Sequence, residues 1–510
     1  MKNYLPFLMC IITITLWAQN NLEDINLEYG KHEVGFLHYQ AIDSSRSYRI
    51  RNAYNNANVH RPIPISIWYP GKAVDNGQET VQVIDYLNIL KEEEEWEHLP
   101  NEFLMDWFSH LWNTEHNKAQ LYKKAYAQQG LEALKGKFPV IVYAPSYQAS
   151  SIENFALCEY LASHGFIVVS SPSRGTDTRW LDGATTRDME TQSGDIAFLI
   201  KAAQNLKHAD TNKIALMGFS FGGLSNLITA IKNANVKAVV SLDGSERYNY
   251  PVLEGSPFFF PDRFDIPYVH FAQKEIPVEV LQSDGLPADI NDRFQLLDAL
   301  LYSDVQSYRF HDLTHAYFST LGVLFTNRDK RQDKADDKIA ASYSLLCQHA
   351  LQFFNATLLQ DEKALKFIQN SPAENGYPEN LLSKRIKKAN QQPFDYLDFN
   401  DLAIANRFEN LIPLYQNTKV EHPELELQEG MLNTWGLWLS FDPERGRQGI
   451  KVFELALHIY PDSANLYDSM AEGYRSIGDT EKALASFRKS LELDPQNDNA
   501  KRKIALLKKE

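Results

Sequence analysis

The feature that most constrains this 510-residue chain is the hexapeptide Gly218-Phe219-Ser220-Phe221-Gly222-Gly223. It follows the apolar run Ile214-Ala215-Leu216-Met217 and precedes a helix-compatible stretch, Leu224 to Ile231. A G-x-S-x-G spacing in that setting predicts a strand-to-helix turn so tight that the residue at its apex sits in strained backbone. Gly218 and Gly222 flank the apex because side chains there would collide with neighbouring backbone. The Ser220 hydroxyl is then held over a helix N-terminus, which favours a developing negative charge. The competing reading is a glycine-rich structural turn, and the strand before and helix after it are what that reading leaves unexplained.

Around this turn, from Val34 to about Cys347, short β-rich apolar runs alternate with longer helical or loop stretches. Eight strands are expected, near Val34–Ile42, Ile63–Tyr69, Pro139–Ala144, Phe166–Ser170, Ile214–Gly218, Val236–Leu242, Ile266–Ala272 and Val305–Phe310. The runs Val140-Ile141-Val142-Tyr143 and Ile167-Val168-Val169 are continuous rather than alternating, as in strands buried on both faces. The fold class is therefore α/β, with a mainly parallel eight-stranded sheet and helices on both faces. Residues 71–137 interrupt the strand series as a long insertion carrying Trp96, Phe103, Trp107, Phe108 and Trp112. The insertion is read either as a cap over the site or as an ordinary surface helix packed by its aromatic residues. Its run Glu92 to Glu95 reads as a solvated helix face.

The ends of the chain have a different character. Lys2, the mostly apolar run Tyr4 to Trp17 and the small Ala18 read as a signal peptide over residues 1–18, too short to span a bilayer. An exported protein, periplasmic or secreted, is expected. The main body takes residues 19–360, and a Lys/Asn/Gln/Pro-rich helical connector takes 361–429. In residues 430–510, Tyr467, Met470, Ala471, Tyr474, Gly478, Ala483, Phe487 and Pro495 stand at tetratricopeptide spacing, and a shift of 34 brings Pro461 onto Pro495 and Phe453 onto Phe487. The segment resembles about two such repeats and a trailing helix from Asn499. Because a stack of this kind needs about three units to stand alone, it is expected to lean on the connector or the main body.

A serine hydroxyl is a poor nucleophile until a base removes its proton, so a histidine and a carboxylate are sought downstream. Asp243 ends the sixth expected strand, 23 residues after Ser220, at the carboxyl edge where open α/β sheets bind ligands. His315 follows the last strand in His311-Asp312-Leu313-Thr314-His315-Ala316-Tyr317-Phe318. His311 is a rival for the base, and Glu275, after the seventh strand, a rival for the acid. His311 and His315 also have metal-pair spacing, but no third ligand stands nearby, so no metal is expected.

The order RPIPISIWYP, a long insertion, FPVIVYAPS, GFSFGG, SLDG and LTHAYF resembles the platelet-activating-factor acetylhydrolase and dienelactone-hydrolase-like branch of the α/β-hydrolases. The resemblance covers roughly Val34 to Phe354. It implies a serine carboxylic-ester hydrolase with Ser220, His315 and Asp243 as its triad, acting on a small or lipid-like ester through an acyl-enzyme and using no cofactor. By position it puts the oxyanion on the backbone N–H groups of Phe221 and Tyr147. The chain departs from the branch where Ala144-Pro145-Ser146-Tyr147 replaces the usual His-Gly pair, and where Phe219 replaces a common His. The alternative is a catalytically degenerate scaffold that serves protein–protein interaction through the repeats.

Composition narrows the partners further. A net charge of −15 provides no basic footprint, so nucleic acid and anionic membrane surfaces are disfavoured, and no second long apolar run suggests a transmembrane span. Of the three cysteines Cys10 lies in the leader, which leaves Cys158 and Cys347. They would pair only if the helices holding them are neighbours, and the favoured reading is two buried free thiols. Phe258, Phe259 and Phe260 suggest either an apolar acyl or aryl pocket or core packing.

Overall fold

The computed structural model describes residues 21–51, 56–72, 79–101, 104, 114–325 and 333–508. The expected leader, Phe103, Trp107, Phe108 and Trp112 lie outside them. The chain divides into two compact units, Met1–Asn390 and Gln391–Glu510.

The first unit is built on one mixed sheet. Its strands are β1 Glu33–Arg51, β2 Asn56–Gly71, β3 Thr80–Gln82, β4 Lys124–Gln129, β5 Phe138–Ala144, β6 Ile167–Ser170, β7 Ala209–Phe219, β8 Val236–Leu242, β9 Tyr268–Ala272, β10 Val305–Phe310 and β11 Leu382–Lys387. Their order is β11-β10-β9-β8-β7-β5-β6-β2-β1-β4-β3. From β6 to β10 every neighbouring pair is parallel, whereas β2 runs antiparallel to β6 and β11 antiparallel to β10.

All eight expected strands are present, and among the described residues the sheet has eleven of mixed direction, so the eight-stranded expectation is corrected. The three additions lie at its two ends. β3 and β4 come from the 71–137 insertion, and β11 from the stretch read as connector. β4, KAYAQQ, and β11, LSKRIK, carry mostly polar and charged residues. β11 is outermost with one unpaired edge, and such a strand is commonly charged because a bare apolar edge would recruit other strands, whereas β4 is covered on its far side by β3. An apolar-run criterion cannot see such strands.

Both faces of the parallel core are covered, and alternate residues divide between them. Ile141, Tyr143, Val168, Met217, Val240 and Phe271 pack with helices α1 Val83–Glu93, α2 Phe155–Ser163 and the long Asp336–Leu358 helix. Val140, Val142, Val169, Leu216 and Val239 pack on the other face with α3 Thr186–Ala203 and α4 Phe221–Lys232. Helix α3 starts at a reciprocal cap in which Asp188 N–H donates to Thr185 Oγ1 and Thr185 N–H to the Asp188 carboxylate. Cys158 and Cys347 are buried free thiols in the first of these two layers.

The insertion is partly core. Tyr86 on α1 lies against Phe155 and accepts a hydrogen bond from Trp68 Nε1 at 2.8 Å. The Glu92–Glu95 run is a solvated face only at Glu92 and in part at Glu95, because Glu93 and Glu94 are buried. The Glu93 carboxylate is buried, where Ser150 Oγ, Ser151 N (3.0 Å) and Ser151 Oγ (2.5 Å) donate to it, and Glu94 pairs with Arg179 at 2.5 Å. These partners lie more than 50 positions away in the chain, so only the tertiary fold brings them together. Burial, partly offset by those hydrogen bonds, pushes the Glu93 carboxyl up to about 7.

In the second unit, residues 391–429 share a core with the helices that follow them. Phe399, Phe408, Leu411, Leu425 and Leu427 share a core with Leu432 and Trp435 of helix Glu429–Ser440 and with Phe453 of helix Gly446–Ile459. Ala471, Tyr474, Ala483, Phe487 and Ala500 form the next cluster along. Small residues mark close helix approaches. A Cβ on Gly449 would stand 2.5 Å from the Ser440 backbone nitrogen. Gly478 closes helix Ala464–Ser476 at φ +81°, a left-handed conformation that glycine adopts without a Cβ penalty.

Candidate active site

The turn between β7 and α4 places Ser220 at φ 51°, ψ −116°, outside the comfortable region for a residue with a side chain. That strain is held by packing and hydrogen bonds. Ser220 N–H donates to Leu242 O at 3.1 Å, and Ser220 O accepts from Gly223 and Ser245 N–H at 3.0 and 2.8 Å. Neither flanking glycine tolerates a side chain. A Cβ at Gly222 would lie 2.1 Å from Ala144 O, and one at Gly218 2.5 Å from both Gly222 O and Asn226 Nδ2.

Three side chains from separate elements meet here. His315, in the turn after β10, places Nε2 2.9 Å from Ser220 Oγ and Nδ1 2.6 Å from Asp243 Oδ2. Asp243 is fully buried at the end of β8, at φ 42°. Burial alone would raise its carboxyl. The hydrogen bond with His315 and the nearby His315, Arg247 and His270 charges outweigh burial and hold it below the ordinary carboxylate range. Phe219, in place of the more common His, stacks obliquely on His315 with ring centres 5.1 Å apart.

The rivals sit elsewhere. His311 Nε2 is 3.0 Å from Ser383 Oγ on β11. Glu275 pairs with Arg309 at 2.9 Å and is 68% exposed. Neither is among the hydrogen-bond partners of Ser220 or His315.

Two residues that sequence reasoning missed complete the acid's surroundings. Tyr248 Oη donates to Asp243 at 3.0 Å, and Gln273 N–H donates to Asp243 Oδ1, also at 3.0 Å. Gln273 Nε2 donates to Tyr248 Oη at 2.7 Å, and its Oε1 accepts from His315 N–H at 3.2 Å. Their only sequence signal is position, Tyr248 lying five residues beyond Asp243 and Gln273 directly after β9.

Tyr147 stands on the loop after β5, its ring edge-on to Phe221 with centres 5.8 Å apart. Among the described residues no acceptor takes the backbone N–H of Tyr147 or of Phe221. The loop is anchored from below. Ser146 N–H and Oγ donate to Glu153 at 2.9 and 2.5 Å, Tyr143 Oη donates to Glu153 at 3.1 Å, and Gln192 Nε2 donates to Pro145 O at 2.9 Å. Burial raises the Glu153 carboxyl despite these donors and the nearby His315. Part of the insertion reaches this rim, where Arg179 is sandwiched between Trp96 and Trp180 at 4.7 and 4.0 Å.

The phenylalanine trio does not form a pocket at Ser220. Lys232 Nζ lies 4.3 Å over the Phe258 ring, which puts Phe258 at the far end of α4, about 18 Å along the helix from the nucleophile. Phe259 packs into the core against Tyr250, and Phe260 lies under Arg263.

Residues 131–260 match the family model described as PET hydrolase-like. Among solved structures, a ferulic acid esterase from Streptomyces cinnamoneus aligns with a TM-score of 0.44 at 14% identity, covering 65% of this chain and 92% of that one. None of the curated proteins matches. The matched segment contains Tyr147, Ser220, Phe221 and Asp243, and it supports a hydrolase enzyme, here built on a mixed α/β sheet.

Proposed function

We propose that the chain is a serine carboxylic-ester hydrolase that acts through an acyl-enzyme, close to the platelet-activating-factor acetylhydrolase and dienelactone-hydrolase-like branch. What carries this reading is the unbroken hydrogen-bonded relay Ser220–His315–Asp243, at 2.9 and 2.6 Å, on a strained turn.

In the first half-reaction Ser220 Oγ attacks the ester carbonyl while His315 Nε2 takes its proton. Asp243, kept ionised, stabilises the resulting imidazolium and fixes the proton on Nδ1. The carbonyl oxygen becomes an oxyanion held by the N–H groups of Phe221 and Tyr147. Collapse of the tetrahedral intermediate breaks the bond to the alcohol, which leaves with the proton from Nε2. In the second half, Nε2 deprotonates a water that attacks the acyl group, and Ser220 leaves with that proton. No cofactor enters these steps.

The substrate class is a small or lipid-like ester. Its access is supported by the 37% exposure of the His315 side chain and by the exposed Tyr147 and Trp180 rings beside the site. The apolar leader supports export to the periplasm or beyond. The period of residues 430–510 supports a tetratricopeptide-like interaction module.

The test pairs turnover with labelling. The wild type hydrolyses short p-nitrophenyl esters and reacts with a fluorophosphonate, and Ser220→Ala does neither while still binding ester. Undiminished hydrolysis by Ser220→Ala would exclude the relay. A wild type that neither labels nor turns over would leave the scaffold reading in its place.

A further inference from the structure

A second polar site lies behind the catalytic acid, on the β9–β10–β11 end of the sheet. One face of these strands is apolar, with Phe271, Tyr308, Phe310 and Leu382 in the main core. The opposite face begins apolar at Tyr268 and Val305 and then turns polar toward the carboxyl ends of β9 and β10. The register aligns His270, Ser307 and Arg385 in one row and Ala272, Arg309 and Ser383 in the next. Segment 291–297 and Arg247 close over these rows and leave a cavity of about 170 Å³.

Its deep end holds polar side-chain atoms that the described residues leave without a partner. Arg247 is 7% exposed, and its Nε and Nη2 donate to Ile290 O at 3.1 and 2.7 Å, while Nη1 has no partner. His270 is fully buried, with Nδ1 3.0 Å from Ser241 Oγ and 3.2 Å from Glu246 Oε1, and Nε2 has no partner. Buried polar atoms of this kind are ordinarily satisfied, and the Arg247 Nη1 hydrogens can only donate. Around the same cavity stand Arg293, Arg309, Arg385 and Asp292, and of these arginines Arg293 is paired with Asp289 at 3.2 Å and Arg309 with Glu275 at 2.9 Å. Arg385 donates only to the Asp292 backbone carbonyl at 3.1 Å, and neither it nor Arg247 has a carboxylate partner among the described residues. Burial, with the Arg247 and Arg385 charges, holds the Arg309 pKa below its ordinary value. In a chain of net charge −15, the two guanidinium groups without a carboxylate, Arg247 and Arg385, leave room at this cavity for a further anion.

We propose that this cavity binds a small tetrahedral oxyanion, phosphate or sulfate or the phosphoryl or sulfo group of a larger molecule. Its oxygens accept from Arg247 Nη1 at the deep end and from Arg309 and Arg385 nearer the mouth. Planar guanidinium forks suit this geometry, and a charge-assisted hydrogen bond is about twice as strong as a neutral one. The site is separate from Ser220, and its occupancy does not depend on the hydrolytic reading.

The experiment is calorimetric titration of the full chain with inorganic phosphate, and with sulfate, at constant ionic strength made up with chloride. Saturable binding is expected, weakened about tenfold or more in Arg385→Gln, an exposed position on an outer strand, and also in Arg309→Gln. Glycerol phosphate as a second titrant separates the sources. Binding comparable to or tighter than phosphate assigns the site to a phosphoryl group on a larger molecule, and weaker binding assigns it to the free ion. No saturable heat in the wild type, as expected if water alone fills the cavity, overturns the proposal. So does phosphate binding of equal strength in both folded variants.

Discussion

Replacing Asp243 by Asn changes one atom and tests the whole relay. Oδ1 of Asp243 accepts the Gln273 backbone N–H and the Tyr248 hydroxyl, both at 3.0 Å, and Oδ2 faces His315 Nδ1 at 2.6 Å. The backbone N–H of Gln273 cannot reverse its role, so the Asn oxygen must take the Oδ1 place and its NH2 must face Nδ1. An NH2 donates, so Nδ1 must accept, and the ring proton moves to Nε2, where it points at Ser220 Oγ. The base can no longer take the serine proton. A wrong-tautomer histidine costs about 10⁴ in kcat in a triad of this design, or about 5.4 kcal/mol of transition-state stabilisation. KM for a short p-nitrophenyl ester should change little, since no contact to substrate is lost. The assay is steady-state hydrolysis at pH 7.5 together with the rate of fluorophosphonate labelling, and both should fall together. A loss of less than about tenfold would refute the reasoning, and a larger loss in Glu275→Gln would move the acid to the rival position.

Two further perturbations follow from the packing and the buried charges. Gly222→Ala would press a Cβ to within 2.1 Å of Ala144 O and shift the loop that carries Tyr147. We expect kcat to fall roughly 10²–10³-fold, as when one oxyanion donor is lost, while Gly430→Ala, where a Cβ meets nothing within 4 Å, leaves kcat unchanged. Glu159 is fully buried and accepts from Tyr86 Oη at 2.7 Å and from Ala127 and Tyr126 N–H at 3.0 and 3.1 Å. Burial nonetheless raises its carboxyl to about 7. The folded state then holds a proton that the unfolded chain releases near pH 4.5, so stability is lost as pH rises from about 4.5 through about 7, by up to about 3 kcal/mol. Glu159→Gln should be less stable at pH 5 but lose less between pH 5 and pH 8, as read by denaturant unfolding at the two pH values. An unchanged pH slope would contradict the raised carboxyl.

What was legible in the sequence was whatever depends on short range. The elbow is written in six consecutive residues, because two glycines and a strand-to-helix transition are local requirements. Runs such as Val140–Tyr143 are legible because burial on both faces forbids alternation. The expected order of acid then base puts Asp243 and His315 within reach of Ser220, since each ends or follows a strand of the parallel core. The misses depend on partners distant in the chain. Glu93 and Glu94 read as solvated because the residues that bury them lie on other segments. β4 and β11 fall within the stretches read as insertion and helical connector because neither shows an apolar run. Tyr248 and Gln273 carry no motif, and their roles exist only once β8 and β9 are adjacent.

The position of Gln273 bears on why the acid comes from β8 rather than from after β9. β8 and β9 are parallel neighbours, with Leu242 opposite Phe271, so the residues just beyond their ends project toward one place. A carboxylate from either strand would approach the same imidazole. Here β8 supplies Asp243, and just past the end of β9 stands an amide that can donate and accept at once, serving Asp243 through its backbone N–H, Tyr248 through Nε2 and the His315 backbone through Oε1. A second carboxylate in its place would repel Asp243 inside a buried site and force one of the pair to hold a proton. It would also remove the donor to Tyr248, whose own hydroxyl proton is committed to Asp243. A neutral Gln at 273 is therefore the physical counterpart of an acid at 243, and Glu275, two residues further on, is left free to neutralise Arg309 at the surface.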